Sequence, residues 1–274
     1  MIGQARSTQR RVLEPSTEEK RLSAELRRMA RANPRFGYRR IHALLRQEGW
    51  KVNGKRIARL WRLEGLQVPQ NQRKRRRLGS SANGCVRRRP ERKDHVWAYD
   101  FVHERTVDGR RLKILAVVDE FTREALAIHV ARRITAKDVV GVLESLMAER
   151  GVPGFIRSDN GPEFIARAVR EHLEDLGVGT LFIEPGSPWE NAYIESFNGR
   201  LRDELLDGEL LTSLAEARWL IEAWRCEYNQ RRPHSSLGYL TPAAFAGSCA
   251  TSNSASLRSR PRRTTRSPDS ALLT

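Results

Sequence analysis

The order of strand-type and helix-type segments between residues 95 and 206 is the feature that most constrains how this chain folds. Three segments with alternating apolar residues, His95–Val102, Leu112–Asp119 and Arg123–Val130, are separated only by short connections, which predicts strands joined by hairpins. The next segments alternate between helix-type (136–150 and 162–176) and strand-type (154–158 and 180–183). This order predicts an α/β fold, with a mixed sheet flanked by helices.

The last helix of this region has a start signal and a polar face that carries one acid. Ser187 is a predicted N-cap, Pro188 suits the first helical position, and Glu190 lies three residues after the cap, as in a capping box. Glu195 falls on a polar face, with Asn191 one turn before it. The apolar stripe of the same helix is formed by Ile194, Phe197, Leu201 and Leu205.

Two more acids lie on or directly after predicted strands. Asp100 is on the same side of its strand as Ala98 and Val102, and Asp159 follows a short strand and precedes an Asn-Gly turn signal. Between Asp159 and Glu195 there are 35 residues. The pattern is therefore an acid on each of two strands, followed by a glutamate on a helix.

This pattern resembles the D, D-35-E core of retroviral integrases and bacterial transposases. The segments SDNGPEF, ENAYIESFNG and YNQRRPHSSLGYLTPAAF resemble second-reading-frame transposases of the IS-three group of insertion sequences, over roughly residues 20 to 247. The resemblance implies a ribonuclease H-like fold and a DNA transposase that cleaves the ends of its element and transfers the strand. Asp100, Asp159 and Glu195 would be the catalytic and metal-binding residues. Asp119, in the second strand, would have a supporting role at most.

The chemistry of phosphodiester cleavage explains, independently of the resemblance, why three acids would be needed. Breaking and rejoining phosphodiesters needs divalent ions that activate a hydroxyl and neutralise the leaving oxygen, and magnesium binds through a few carboxylates plus substrate phosphate. We therefore expect two Mg²⁺ ions, with Mn²⁺ able to substitute. Asn191 contacts substrate or orients Glu195, or is only part of a polar face; the sequence permits each interpretation.

Positive charge is concentrated at the start of the chain. Residues 1 to 97 hold 27 Lys and Arg against 8 Asp and Glu, a net +19, whereas residues 98 to 274 hold 23 against 25, a net −2. Such an asymmetry predicts a polyanionic partner, since lysines and arginines that neutralise phosphates supply sequence-independent DNA affinity. The basic runs within residues 71–94 predict a linker that either follows a DNA backbone or is a solvated spacer.

Residues 18–70 predict a helix-turn-helix unit ahead of that linker. Gly49 ends one short helix, and Asn53 caps the next. Cations around the start and outer face of the second helix suit a recognition helix in a major groove, and we expect DNA contact from Lys51, Lys55, Arg56, Arg59 and Arg62.

After the catalytic core, predicted to span 95–247, residues 248–274 lack periodicity and are predicted to be disordered. Within the core, a helical stripe from Leu214 to Tyr228 should pack on the sheet, and the basic loop with Arg231, Arg232 and His234 either reaches DNA or is solvated.

The remaining features bear on partners and location. Three cysteines without paired spacing indicate reduced thiols, and neither a signal peptide nor a membrane span is predicted. We expect a bacterial cytoplasmic, nucleoid-associated protein that acts on double-stranded DNA as a homo-oligomer, with an upstream-frame partner protein implied by the resemblance. Two rivals are a nuclease of the same fold and a repressor with a degenerate core, although the repressor would have lost an acid.

Overall fold

The computed structural model describes residues 16–68, 88–159, 167–182 and 191–249. The first range forms a helical unit with three helices: α1 (Thr17–Ala32), α2 (Tyr38–Gln47) and α3 (Gly54–Leu63). The side chains of Ser16 and Asn53 cap α1 and α3 by accepting backbone N–H groups at 3.2 and 2.9 Å, and Gly49 ends the turn after α2 at φ +90°. Apolar residues from all three helices are buried in one cluster: Leu22, Leu26, Met29, Ile41, Leu44, Leu45, Ile57, Leu60 and Trp61.

A five-stranded mixed sheet forms the second unit, as predicted. Its strands are β1 (Val96–Arg105), β2 (Arg111–Asp119), β3 (Ala125–Ala131), β4 (Phe155–Ser158) and β5 (Gly179–Phe182). They lie in the order β3-β2-β1-β4-β5. The hairpin-linked strands β1, β2 and β3 pair antiparallel, whereas β4 pairs parallel with both β1 and β5. The strand β1 is thus central, and the chain that leaves β4 emerges beside it.

Helices cover both faces of this sheet. The helices α4 (Ala136–Arg150) and α5 (Arg167–Asp175) pack on one face, and α6 (Ala192–Leu201) and α7 (Leu214–Gln230) pack on the other. A π-helical turn, Arg202–Leu206, continues α6. The predicted start of this helix at Ser187 and Pro188 lies outside the described residues, so it stays a prediction. No helix in the described ranges is long and apolar enough to cross a bilayer.

Two domain limits differ from the sequence prediction. The last residues assigned to the linker pack on the core: the Arg88 guanidinium lies 4.1 Å from the Phe155 ring centroid, and Asp94 accepts hydrogen bonds from Trp97 and Arg150 at 3.0 Å. At the other end, residues 242–249 are helical, because Ala246 is buried and provides an apolar contact. The predicted disordered tail otherwise lies outside the described residues.

Gly179 allows β5 to pass the Phe155 ring on β4. A Cβ at this position would lie 2.4 Å from a ring carbon, whereas a Cβ at Gly141, on α4, would meet nothing within 4 Å. We expect Gly179→Ala to lower the free energy of unfolding by about 1–3 kcal/mol, because the ring must shift. The matched change Gly141→Ala should raise it by up to about 1 kcal/mol, because alanine favours the helix. Denaturant unfolding of both variants measures the difference, and equal effects would contradict this packing.

Candidate active site

Asp100 is a carboxylate between two buried apolar residues on one face of the central strand. Alternation along β1 places it on the same face as Ala98 and Val102, which belong to the core cluster that α6 and α7 complete. Ala98 and Val102 are at most 2% exposed. Asp100 itself is half-buried at the border between this core and solvent.

Asn198 on α6 ties this carboxylate to the helix that covers it. Its Nδ2 donates to Asp100 Oδ2 at 2.9 Å, while the backbone N–H of Phe101 donates to Asp100 Oδ1 at 2.8 Å. Both oxygens of Asp100 are therefore held, and each retains a lone pair for a further ligand. No role for Asn198 was predicted from the sequence.

The charges of Asp159 and Glu195 both act on Asp100. Burial raises the pKa of Asp100 to about 6, and the negative charges of Asp159 and Glu195 add to the increase, against the two hydrogen bonds that lower it. Asp159 follows β4 directly, and the parallel pairing of β1 and β4 brings the two strand positions together. Glu195 is exposed on α6, one turn before Asn198. Asp159 and Glu195 therefore both lie within electrostatic range of Asp100.

The donor set around these acids suits a hard cation. In the described part of the chain, no three His, Cys, Asp or Glu side chains lie close enough together to form a ready metal site. The acids nevertheless supply oxygen ligands, and the carboxylate of Asp100 is disfavoured in its charged form until a cation neutralises it. The amide oxygens of Asn191 and Asn198 are buried with no hydrogen-bond partner. These features fit a divalent ion bound by the acids.

Asp119 is a structural acid at the end of β2. Its oxygens accept from the backbone N–H groups of Asp94 and Phe121 at 3.1 and 2.9 Å, and from the Thr122 hydroxyl at 2.9 Å. Burial raises its pKa, and its side chain is wholly enclosed. This carboxylate organises the turn between β2 and β3.

The cations predicted on the second helix of the helix-turn-helix unit fall into two groups. Arg56 and Arg59 form ion pairs with Glu18 and Glu19 on α1, at 3.0 and 2.6 Å, which the sequence did not predict because the partners are 38 and 40 residues away. The remaining three are exposed and form no ion pair with a described acid: Lys51, Lys55 and Arg62.

The basic loop after α7 is only partly solvent-facing. Arg231 is exposed, whereas Arg232 and His234 are 3% and 5% exposed. Arg232 holds Glu204 with its Nε at 2.8 and 3.1 Å and with a third bond from Nη2. Burial and four neighbouring arginines lower the pKa of His234 to about 2, so its imidazole is neutral. The interpretation that Arg232 and His234 reach DNA or solvent is therefore wrong.

Three family models match consecutive parts of the chain. Two models described as integrase core domain match residues 90–188 and 176–242, and one described as HTH-like domain matches residues 17–76. The matches follow the two units of the structure.

Proteins of insertion elements are similar over most of the chain. The 31.7 kDa protein of insertion element IS407 from Burkholderia multivorans is 44% identical over 246 residues, covering 90% of this chain and 88% of that one. The 39.2 kDa protein of IS476 from Xanthomonas euvesicatoria is 43% identical, covering 90% and 70%. The transposase InsF of IS3A from Escherichia coli is 26% identical, with 81% of each chain covered.

A solved structure has the same fold. A chain in the simian T-cell lymphotropic virus intasome matches with a TM-score of 0.50 at 18% identity, covering 85% of this chain and 75% of that one. The ribonuclease H-like integrase architecture expected from the sequence is confirmed.

The raised pKa of Asp100 predicts that its charge destabilises the metal-free protein. Because the folded-state pKa, about 6, lies above the ordinary 3.8, the contribution of this group to stability is largest below pH 4 and is lost as the pH rises through 6. Asp100→Asn removes this loss, and a flipped Asn198 amide can still bond the introduced amide. We expect the variant to be about 1–3 kcal/mol more stable than wild type at pH 7.5, with the difference disappearing near pH 4.

Asp119→Asn is the matched control, because Asp119 is also a buried acid with a raised pKa. It accepts three hydrogen bonds, and an amide cannot accept them all, so this variant should lose about 1–3 kcal/mol. Unfolding in chelator at both pH values tests the pair. An Asp100→Asn variant that is less stable at pH 7.5 would contradict the electrostatic account.

Proposed function

The chain belongs to the family of insertion-element transposases, and on that premise we propose that Asp100, Asp159 and Glu195 carry out cleavage and strand joining at the element ends. The observation that supports these roles is the action of both other acids on Asp100 where β1, β4 and α6 meet. The reaction is hydrolysis of a phosphodiester that frees a 3′-hydroxyl, followed by attack of that hydroxyl on a second phosphodiester. No covalent enzyme intermediate is needed, since water and DNA hydroxyls are the nucleophiles.

The three acids would hold two divalent ions, magnesium in the cell and manganese as a substitute. When bound, such ions activate the attacking hydroxyl and neutralise the leaving oxygen. The supporting features are the oxygen-only donor set and the raised pKa of Asp100, which a cation would bring back down.

The chain's own polar groups orient these acids. Asn198 and the N–H of Phe101 hold Asp100 in one rotamer, so one ligand is preorganised before substrate arrives. Asn191, 3% exposed at the start of α6, would contact the substrate or orient Glu195 once the strand is bound.

Residues 18–70 would recognise the element ends as duplex DNA. The exposed cations Lys51, Lys55 and Arg62 would make the contacts, while Arg56 and Arg59 brace α3 against α1. We further propose a homo-oligomer on DNA, since two ends must be brought together, and an upstream-frame partner protein in the bacterial cytoplasm at the nucleoid.

Isosteric loss of any one of the acids should abolish chemistry while leaving binding intact. Asp100→Asn, Asp159→Asn and Glu195→Gln should each reduce cleavage and joining by a factor of about 10³ or more, because a ligand is lost and the fold is not. The assay uses DNA carrying the genomic flanks of the gene with magnesium, and separates nicked from joined products. Substantial turnover by one of the three variants would exclude that residue from the mechanism. Activity of wild type in chelator would exclude the metal.

Glu190→Gln is the control for Glu195→Gln, because both acids lie in one segment and only Glu195 is predicted to meet the metals. Joining should stay measurable in the control. If Glu190→Gln were inactive in joining and Glu195→Gln active, Glu190 and not Glu195 would be the catalytic glutamate. Nicked DNA without joined products in wild type would favour a nuclease.

End recognition should depend on the exposed cations of the helical unit. Lys55→Gln should weaken duplex binding about 5- to 10-fold at 0.1 M salt and reduce the slope of log affinity against log salt by about 0.9, the effect of losing one phosphate contact. Arg59→Gln should instead lower the melting temperature. A fragment starting at Asp94 that bound the ends as selectively as the full chain would overturn the assignment.

A further inference from the structure

A groove of ≈ 580 Å³ separates the helical unit from the catalytic helix α6. Arg35, Arg40 and Val68 line one side, and the face of α6 from Ala192 to Arg200 lines the other. Glu195 lies in this lining. The groove therefore leads away from the proposed catalytic acids, between the two units.

The groove carries more positive than negative charge. Arg35 pairs with Asp203 at 3.4 Å, and Arg232 occupies Glu204 with three hydrogen bonds. Arg40 reaches Glu204 only at 3.8 Å, on a carboxylate whose oxygens are already used. If Glu195 holds metal, no acid of the groove remains to neutralise Arg40 fully.

Arg200 is the cation with the least compensation. It is half-buried, and no described acid lies within ion-pair distance of it. Its Nη1 donates to the carbonyl and hydroxyl oxygens of Ser196, one turn earlier on α6, at 2.6 and 2.5 Å. This fixes the side chain, while Nε and Nη2 make no hydrogen bond to a described residue. Burial and the charge of Arg232 lower the pKa of Arg200. An anion bound beside Arg200 would stabilise its charged form.

Gly199 keeps the floor of the groove open beside Arg200. It lies in the interior of α6, where glycine costs about 0.5–1 kcal/mol relative to alanine. A Cβ there would meet nothing within 4 Å, so packing within the chain does not require a glycine. Because Gly199 lines the groove, the absence of a side chain leaves room for a ligand backbone to approach beside Arg200.

We propose that this groove binds the sugar-phosphate backbone of the DNA strand next to the reacting phosphodiester, with Arg200 as the main phosphate contact and Arg40 beside it. The inference rests on the proposed function, since it places the strand along α6 from Glu195. A guanidinium that is anchored through Nη1 and whose Nε and Nη2 make no hydrogen bond to a described residue suits a phosphate.

Nucleic acid suits the groove better than an acidic polypeptide does. The chain acts on DNA, and the groove joins the DNA-binding unit to the catalytic helix. A nucleic-acid backbone offers phosphates that can align with individual arginines.

The test measures binding without chemistry, in chelator, with a fluorescein-labelled 30-base-pair duplex from the flank of the gene and with a 20-nucleotide oligo-dT strand. Arg200→Gln should reduce the slope of log affinity against log salt by about 0.9 on the duplex or about 0.7 on the single strand, and weaken binding about 5- to 10-fold at 0.1 M salt. Arg200→Lys should keep most of the slope. Lys137→Gln makes the same change in charge at an exposed position of α4, on the opposite face of the sheet. This control should bind DNA as wild type does.

Gly199→Leu provides a second test that keeps every charge. It should fill the groove and weaken DNA binding at least 5-fold, without lowering the melting temperature. An unchanged salt slope in Arg200→Gln together with wild-type DNA binding by Gly199→Leu would overturn the proposal. Variants that lost affinity for polyglutamate but kept their affinity for DNA would also overturn it. Because no step needs metal or the three acids, loss of the proposed catalysis in the acid variants would leave this result standing.

Discussion

The hydrogen bond from Asn198 to Asp100 joins the covering helix to the central strand, and the site depends on it. On the face of β1 that α6 covers, Asp100 lies between the core residues Ala98 and Val102. Burying a carboxylate there costs free energy unless it is hydrogen-bonded. Asn198 supplies that bond from the helix that also carries Glu195. The packing of α6 on the sheet therefore also sets the position of Glu195 relative to Asp100.

Much of this arrangement could be predicted from local patterns. Strand alternation placed Asp100 on the same face as Ala98 and Val102, and helical spacing identified the buried residues Ile194, Phe197 and Leu201. These predictions hold because periodicity reports which face of an element is buried. The bounds of α4, Ala136–Arg150, also match the prediction, since Thr135 and Asp138 form a capping box and Gly151 follows the last turn.

Partners far apart in sequence were beyond those patterns. Asn198 and Asp100 are 98 residues apart, and Arg232 is 28 residues from Glu204. A helical repeat places Asn198 one turn after Glu195 but says nothing about which strand it faces. The same limit explains Arg232: a basic loop after a helix is usually solvated, and here a tertiary contact buries it. The polar face of α6 is therefore a shared boundary between helix and sheet, although its composition suggested a surface.

The buried pair of Glu204 and Arg232 extends this logic to the helical unit. Glu204 lies in the π-helical turn that directly continues α6, and the guanidinium of Arg232 lies 5.6 Å from the ring centroid of Phe36 in the helical unit. Phe36 is 8% exposed and belongs to the core of the helical unit, so this contact connects that core to Arg232. Breaking the ion pair would leave a buried charge without its partner, which typically costs about 3–5 kcal/mol. The helical unit and the end of α6 are thus connected through the same few contacts.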